Sequence, residues 1–174
     1  MTEPTTVTRE RADLLSQLAS TRHFLRHTVR DLDDEQARAR TTPSALCLGG
    51  IVKHVSAVEQ RWVDFIEQGP AAMDGGDDMA AAYEAHARTF QLEEGETLAG
   101  LLDAYEAAAA RTDALVAELP DLDADHPLPA RPWFEPGARW SARRVLLHIV
   151  SETAQHAGHA DIIREALDGA RSMG

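Results

Sequence analysis

The chain has 174 residues, of which 44% are hydrophobic and 5% are aromatic. This length suffices for a domain with a hydrophobic core, and we predict a single domain over residues 1–174, ordered from about residue 7 to residue 169. The formal net charge of −12 argues against nucleic acids and anionic membrane surfaces as partners, because the chain would repel a polyanion.

Cys47 is the single cysteine, so the chain cannot form an intrachain disulfide. The first residues lack the basic and apolar segments of a signal peptide. No apolar run approaches the roughly 20 residues that a membrane-spanning helix needs. These features predict a cytoplasmic protein without a membrane partner.

Residues 7–31 have the periodicity of an amphipathic helix after a frayed tail at residues 1–6. His23 and His27 have the i, i+4 spacing of a metal-binding pair, but they lie opposite the apolar face. We therefore interpret them as solvated surface residues. A short helical turn is predicted over residues 33–40. The apolar face of the first helix contains Leu14, Leu15, Leu18, Leu25 and Val29.

A second long helix is predicted from about Leu48 to Gln68, after a loop marked by Pro43 and the glycine pair at positions 49–50. His54 lies within about 40° of Val58 on a helical wheel, so it faces the core or its edge. The buried stripe of this helix contains Ile51, Val55, Val58, Trp62, Phe65 and Ile66.

Residues 70–95 are rich in Ala, Asp and Gly, and we predict a short helix over residues 79–90 that lies across the bundle end. The stretch at 74–78 superficially resembles a calcium loop. It lacks the alternating ligands and the closing glutamate, so we discount calcium binding. A third long helix is predicted from Thr97, which can cap it, to Leu119, before Pro120.

Residues 120–140 contain five prolines, which forbid a regular helix. A structureless loop of this length in a compact domain is usually functional. Its aromatic residues Trp133, Phe134 and Trp140 could line a substrate pocket at one end of a bundle, or they could merely seal the core. The sequence leaves both interpretations open.

The last predicted helix begins after Ser141, a good N-cap, and stops at Gly169, which can adopt the left-handed conformation. Its buried stripe carries Glu152 and His156 one turn apart. Four long helices, short extra helices and a long loop before the last helix predict an all-α four-helix bundle.

Glu152 and His156, together with His54 from the second helix, are the candidate metal ligands. A carboxylate on a buried stripe is costly unless a cation compensates it. Two imidazoles and one carboxylate suit Zn²⁺, with Ni²⁺ or Fe²⁺ as alternatives, and leave coordination positions open. The alternative is a metal-free core in which Glu152 and His156 pair with each other. His148 and His159 flank the stripe as orienting residues or rival ligands.

Four segments carry a family resemblance: residues 42–54, residues 132–134, residues 139–141 and residues 152–161. On these the chain resembles the DinB-like superfamily of four-helix-bundle metalloproteins. It is most similar to an actinobacterial branch related to mycothiol-dependent enzymes. The resemblance implies a divalent metal bound by His54, Glu152 and His156, where many members have His in place of Glu152.

The resemblance also implies a function. It predicts a thiol-dependent S-transferase that uses mycothiol or a similar low-molecular-weight thiol as cosubstrate and attacks an electrophilic small molecule. For such an enzyme we expect Trp133, Phe134, Arg139 and Trp140 to line the substrate pocket, with Arg131 or Arg144 as alternatives to Arg139 for binding an anionic group. The alternative is a non-enzymatic metal-binding or small-ligand-binding stress-response protein. The sequence does not decide between enzyme and binding protein, between monomer and homodimer, or which metal, thiol and electrophile are native.

Overall fold

The structure is a computed structural model that describes residues 8–73 and 78–172. The predicted tail at 1–6, the predicted helix start at Val7 and most of the Asp-Gly stretch at 74–78 lie outside these residues. In chain order the helices are α1 Arg9–Thr28, α2 Asp34–Arg38, α3 Leu48–Gln68, α4 Met79–Thr89, α5 Leu98–Glu118 and α6 Ala142–Asp168, with a 3₁₀ turn Gly69–Met73 after α3.

Local capping explains where these helices begin and end. The Thr97 hydroxyl accepts the Gly100 N–H at 3.1 Å at the start of α5. The Ser141 hydroxyl accepts the Arg144 N–H at 3.2 Å at the start of α6. Gly169 ends α6 with φ of 79°, a conformation that strains residues with a Cβ. The bounds predicted for the second, third and last long helices agree with the structure to within about one residue.

The four long helices form a ring in which α1 packs against α5 and α6, and α3 also packs against α5 and α6. This arrangement confirms the predicted all-α four-helix bundle. Its interior holds two hydrophobic clusters. One is centred on Leu25, Leu48, Ile51 and Tyr105, and the other on Leu18, Trp62, Phe65 and Ile149.

Buried polar residues lie on all four helices between the two clusters. Arg22 of α1, Glu59 of α3, Thr112 of α5 and Thr153 of α6 are each at most 5% exposed. Glu59 accepts hydrogen bonds from both Arg22 and Thr112, the latter at 2.6 Å. The bundle therefore has a polar layer, defined here as these four residues, that the apolar periodicity did not predict.

Two sequence-based expectations need correction. The segment before the last helix is not a structureless loop, because β1 Asp125–Pro127 and β2 Arg139–Ser141 pair antiparallel with His126 opposite Trp140. A pairing between residues this far apart leaves no periodic pattern in so short a strand. Gly49 and Gly50 lie inside the first turn of α3, where Gly50 admits the Phe90 backbone; a Cβ at Gly50 would lie 1.9 Å from the Phe90 oxygen.

Within residues 8–73 and 78–172, no helix combines the length and the apolar composition that crossing a membrane requires.

Candidate metal centre

Helices α3 and α6 bring the three predicted ligands together. One potential ligand atom each from His54, Glu152 and His156 lies within 4.8 Å of the other two. His54 is 3% exposed and His156 is 8% exposed, whereas the Glu152 side chain retains 28% of its surface. The cluster is thus closed on the imidazole side and open to solvent on the carboxylate side.

The spacing of α6 aligns three polar side chains along one face, because residues four apart lie one above the other on a helix. Glu152 Oε2 is 3.6 Å from His156 Nε2, and Glu152 Oε1 is 3.9 Å from His148 Nε2. Both distances are too long for a good hydrogen bond. Donor atoms bound tetrahedrally at about 2.0–2.1 Å from Zn²⁺ lie about 3.4 Å apart, so the gap between Glu152 and His156 fits a shared ion.

The electrostatics of the cluster favour the protonation states that bind metals. Burial lowers the pKa of His54 to about 3, and the neighbouring His156 and His86 imidazoles contribute to the shift. The facing His156 imidazole holds the pKa of Glu152 below its usual range, against the opposing effect of burial. At neutral pH His54 is therefore neutral and Glu152 is anionic, which are the forms that coordinate a cation.

Further histidines surround the cluster. His159 Nδ1 is 3.4 Å from His156 Nδ1, on the side of the ring away from Glu152 Oε2. His148 packs edge-on against Trp62 and Trp140, with ring centroids 4.9 and 5.1 Å away, and burial lowers its pKa. A separate pair of histidines, His23 and His27, lies on the outer face of α1. His23 is exposed, and the centroids of the two rings are 5.9 Å apart.

Residues at the end of α4 also reach the cluster, and sequence reasoning missed them. The Phe90 ring stacks on His54 with centroids 3.8 Å apart, and the His86 ring lies edge-on to His54 at 5.2 Å. Thr89 Oγ1 is 2.8 Å from His54 Nδ1. Their shared position near the end of a short helix was a weak clue, because none of the eleven residues of α4, all of them described, is buried.

The predicted pocket residues take different positions. The Trp140 ring stacks on Trp62 with centroids 4.8 Å apart, and Phe134 lies edge-on to both. These rings therefore cover the end of the core next to His148. Trp133 is 56% exposed. Arg139 pairs with Asp125 across the hairpin at 2.6 Å, so its guanidinium already has a partner there.

Comparison with known proteins gives a family match and a fold match. The sequence profile of the family described as mycothiol-S-transferase matches residues 13–169. A solved structure, titled "Crystal structure of the conserved protein of locus from Enterococcus faecalis", superimposes with a TM-score of 0.63. The superposition covers 91% of this chain and 97% of the Enterococcus faecalis chain. At 14% sequence identity, the similarity shows the fold alone. No curated protein matches the chain.

Proposed function

The chain belongs to the mycothiol-S-transferase family of DinB-like proteins, and from this premise we propose that it is a metal-dependent transferase acting on a thiol of the mycothiol type. The observation that carries the proposal is the convergence of His54, Glu152 and His156 within 4.8 Å of one another. The substrates are then the small-molecule thiol and an electrophilic small molecule. We also propose that the chain forms a single domain, because α3 and α6 contribute to both core clusters and to the site.

His54, Glu152 and His156 would hold one divalent cation, with Zn²⁺ the first choice and Ni²⁺ or Fe²⁺ as alternatives. Two neutral imidazoles and one carboxylate form the donor set of an open catalytic site, and the distance between Glu152 and His156 suits a shared ion. When bound, such a cation lowers the pKa of a coordinated thiol, so that a thiolate forms at neutral pH.

The chain's own residues then determine access and orientation. The thiol enters from the solvent-exposed side of the cluster, next to Glu152, and the thiol proton is released to water. His159 faces His156 Nδ1 and orients that ring. The thiol sulfur forms a bond to the electrophilic carbon, and the leaving group departs with the electron pair of the bond that breaks.

We assign the bulky part of the thiol to the exposed aromatic pair formed by Tyr83 and Trp133. These rings are 59% and 56% exposed and lie edge-on with centroids 6.3 Å apart. Tyr83 precedes His86 by one turn of α4, and the His86 ring contacts His54. Phe134 and Trp140 support this region from the core side, whereas Arg139 is paired with Asp125 and is not assigned to the thiol.

The test is conjugation of mycothiol with 1-chloro-2,4-dinitrobenzene by the zinc-loaded protein, with the uncatalysed rate subtracted. In this reaction chloride leaves as the carbon–sulfur bond forms. We expect turnover with the wild type and none with His156→Ala. Stoichiometric metal without turnover of any thiol or electrophile would instead support the non-enzymatic binding protein, and conjugation that survives removal of the metal would contradict the mechanism.

A further inference from the structure

The hydroxyl of Thr89 has two partners, and together they determine where its proton lies. Thr89 Oγ1 is 2.6 Å from the His86 carbonyl oxygen and 2.8 Å from His54 Nδ1. A carbonyl oxygen can only accept, and a threonine hydroxyl has one proton to donate. The Thr89 proton therefore goes to His86 O, and Thr89 Oγ1 accepts a hydrogen bond from His54 Nδ1–H.

The opposite assignment is unfavourable. If Thr89 donated to His54 Nδ1, its oxygen and the His86 carbonyl oxygen would face each other at 2.6 Å with no proton between them. Two acceptor oxygens this close with no proton between them repel each other, so this assignment is disfavoured. His54 is thus held with its proton on Nδ1, and Nε2 keeps its lone pair.

The orientation of the His54 ring is fixed as well. Phe90 stacks on the ring at 3.8 Å with an interplanar angle of 20°. Gly50, one turn before His54 on α3, has no side chain and so lets the Phe90 backbone approach. The ring therefore has a defined plane and a defined proton position before any ligand arrives.

We propose that Thr89 is a positioning residue that selects the Nδ1–H tautomer of His54 and so presents its Nε2 lone pair to the cation shared with Glu152 and His156. The metal part of this statement rests on the proposed function, whereas the tautomer part does not. Through Thr89, helix α4, which has no buried residues, thus has a role in the metal centre.

The first measurement is the tautomer of His54 in the ¹⁵N-labelled metal-free protein at pH 7, read from two-bond ¹H–¹⁵N correlations. The chain has eight histidines, so a His54→Gln spectrum identifies the signal. We expect Nδ1–H in the wild type and in Thr89→Ser. We expect loss of this tautomer in Thr89→Val, because a free imidazole prefers the proton on Nε2.

The second measurement is zinc affinity by chelator competition. Residues that orient a metal-binding histidine typically change affinity about 10–100-fold, and we expect Thr89→Val to weaken binding by that factor while Thr89→Ser restores it. Thr21→Val is the matched control, because the half-buried Thr21 hydroxyl of α1 also donates to carbonyl oxygens of its own helix, Gln17 O at 3.1 Å or Leu18 O at 3.2 Å. It should leave both readouts unchanged.

An Nε2–H tautomer of His54 in the wild type would overturn the proposal without any variant. So would Thr89→Val with an unchanged tautomer and unchanged affinity. If the wild type bound metal without transferring thiols, the proposed function would fail while the tautomer of the metal-free protein still decided the role of Thr89.

Discussion

Arg22 and Glu59 form an ion pair that the bundle encloses almost completely, with side chains 6% and 0% exposed. Arg22 Nε donates to Glu59 Oε2 at 3.3 Å, and a second, shorter contact joins the same two groups. Burial lowers the pKa of Arg22, but the charge and hydrogen bonds of Glu59 and Asp113 outweigh it and raise that pKa. The pair joins α1 to α3 across the interior of the bundle.

We predict that Glu59→Gln lowers the free energy of unfolding by about 3–5 kcal/mol, because it removes the buried carboxylate of the pair. The Arg22 guanidinium then keeps only the half-exposed Asp113 as a counter-charge. Urea denaturation of the metal-free protein measures the change. Glu67→Gln is the matched control, since Glu67 pairs with Arg111 with both side chains about 40% exposed, and we expect a loss of at most about 1 kcal/mol. Equal, small losses would contradict a dominant role of the buried pair.

Metal content tests the ligand assignment directly. We expect close to one divalent ion per chain in wild-type protein purified without an affinity tag, and none in His156→Ala, as measured by elemental analysis. His27→Ala, in the surface pair with His23, should keep the wild-type content. A metal-free wild type, or retention of metal by His156→Ala, would remove the main support for the site.

The low pKa of His54 predicts an acid sensitivity of the metal-free protein. A histidine titrates near 6.5 when unfolded and near 3 here, so between these values the unfolded chain binds more protons and stability falls as pH falls. The lowered pKa of Glu152 acts in the same direction below about 4.5. His54 alone contributes up to about 1.4 kcal/mol per pH unit. Urea titrations from pH 7 to pH 4 should show a shallower decline for His54→Gln; an unchanged slope would be the contrary result.

Gly50 and Gly158 have opposite surroundings, so we expect opposite effects when each is replaced by alanine. Gly50→Ala would place a Cβ against the Phe90 backbone, so we expect a destabilisation of about 1–3 kcal/mol and weaker zinc binding. Gly158→Ala, in α6 with no atom within 4 Å of the new Cβ, should stabilise the protein by about 0.5–1 kcal/mol. Thermal unfolding and chelator competition measure both, and zinc binding unaffected by Gly50→Ala would argue against this contact.

The exposed aromatic pair predicts a selective effect on the thiol. Trp133→Ala should raise KM for mycothiol several-fold, in line with about 0.5–1.5 kcal/mol for an aromatic contact, and leave KM for N-acetylcysteine unchanged because that thiol lacks the bulky part. Phe24→Ala, which removes a 37% exposed ring from α1, is the control. Equal increases for both thiols would place Trp133 outside the thiol site.

Much of the fold follows from local chemistry that can be read along the chain. Helix bounds follow apolar periodicity and the caps at Thr97, Ser141 and Gly169, because capping joins residues within one turn. The family resemblance inferred from the sequence segments is confirmed by the family match over residues 13–169. The alignment of Glu152 and His156 also follows from helical geometry alone, although their role as ligands remains a prediction.

Only the tertiary structure decided which residues far apart in the chain are in contact. Helical periodicity turned His54 towards the core, but the packing of α3 against α6 placed it beside His156, and the end of α4 brought Thr89 to its Nδ1. The ion pair between Arg22 and Glu59 and the pairing of Arg139 with Asp125 are further cases. A helix determines which residues share its own face, whereas its neighbour and register depend on the free energy of packing the whole bundle.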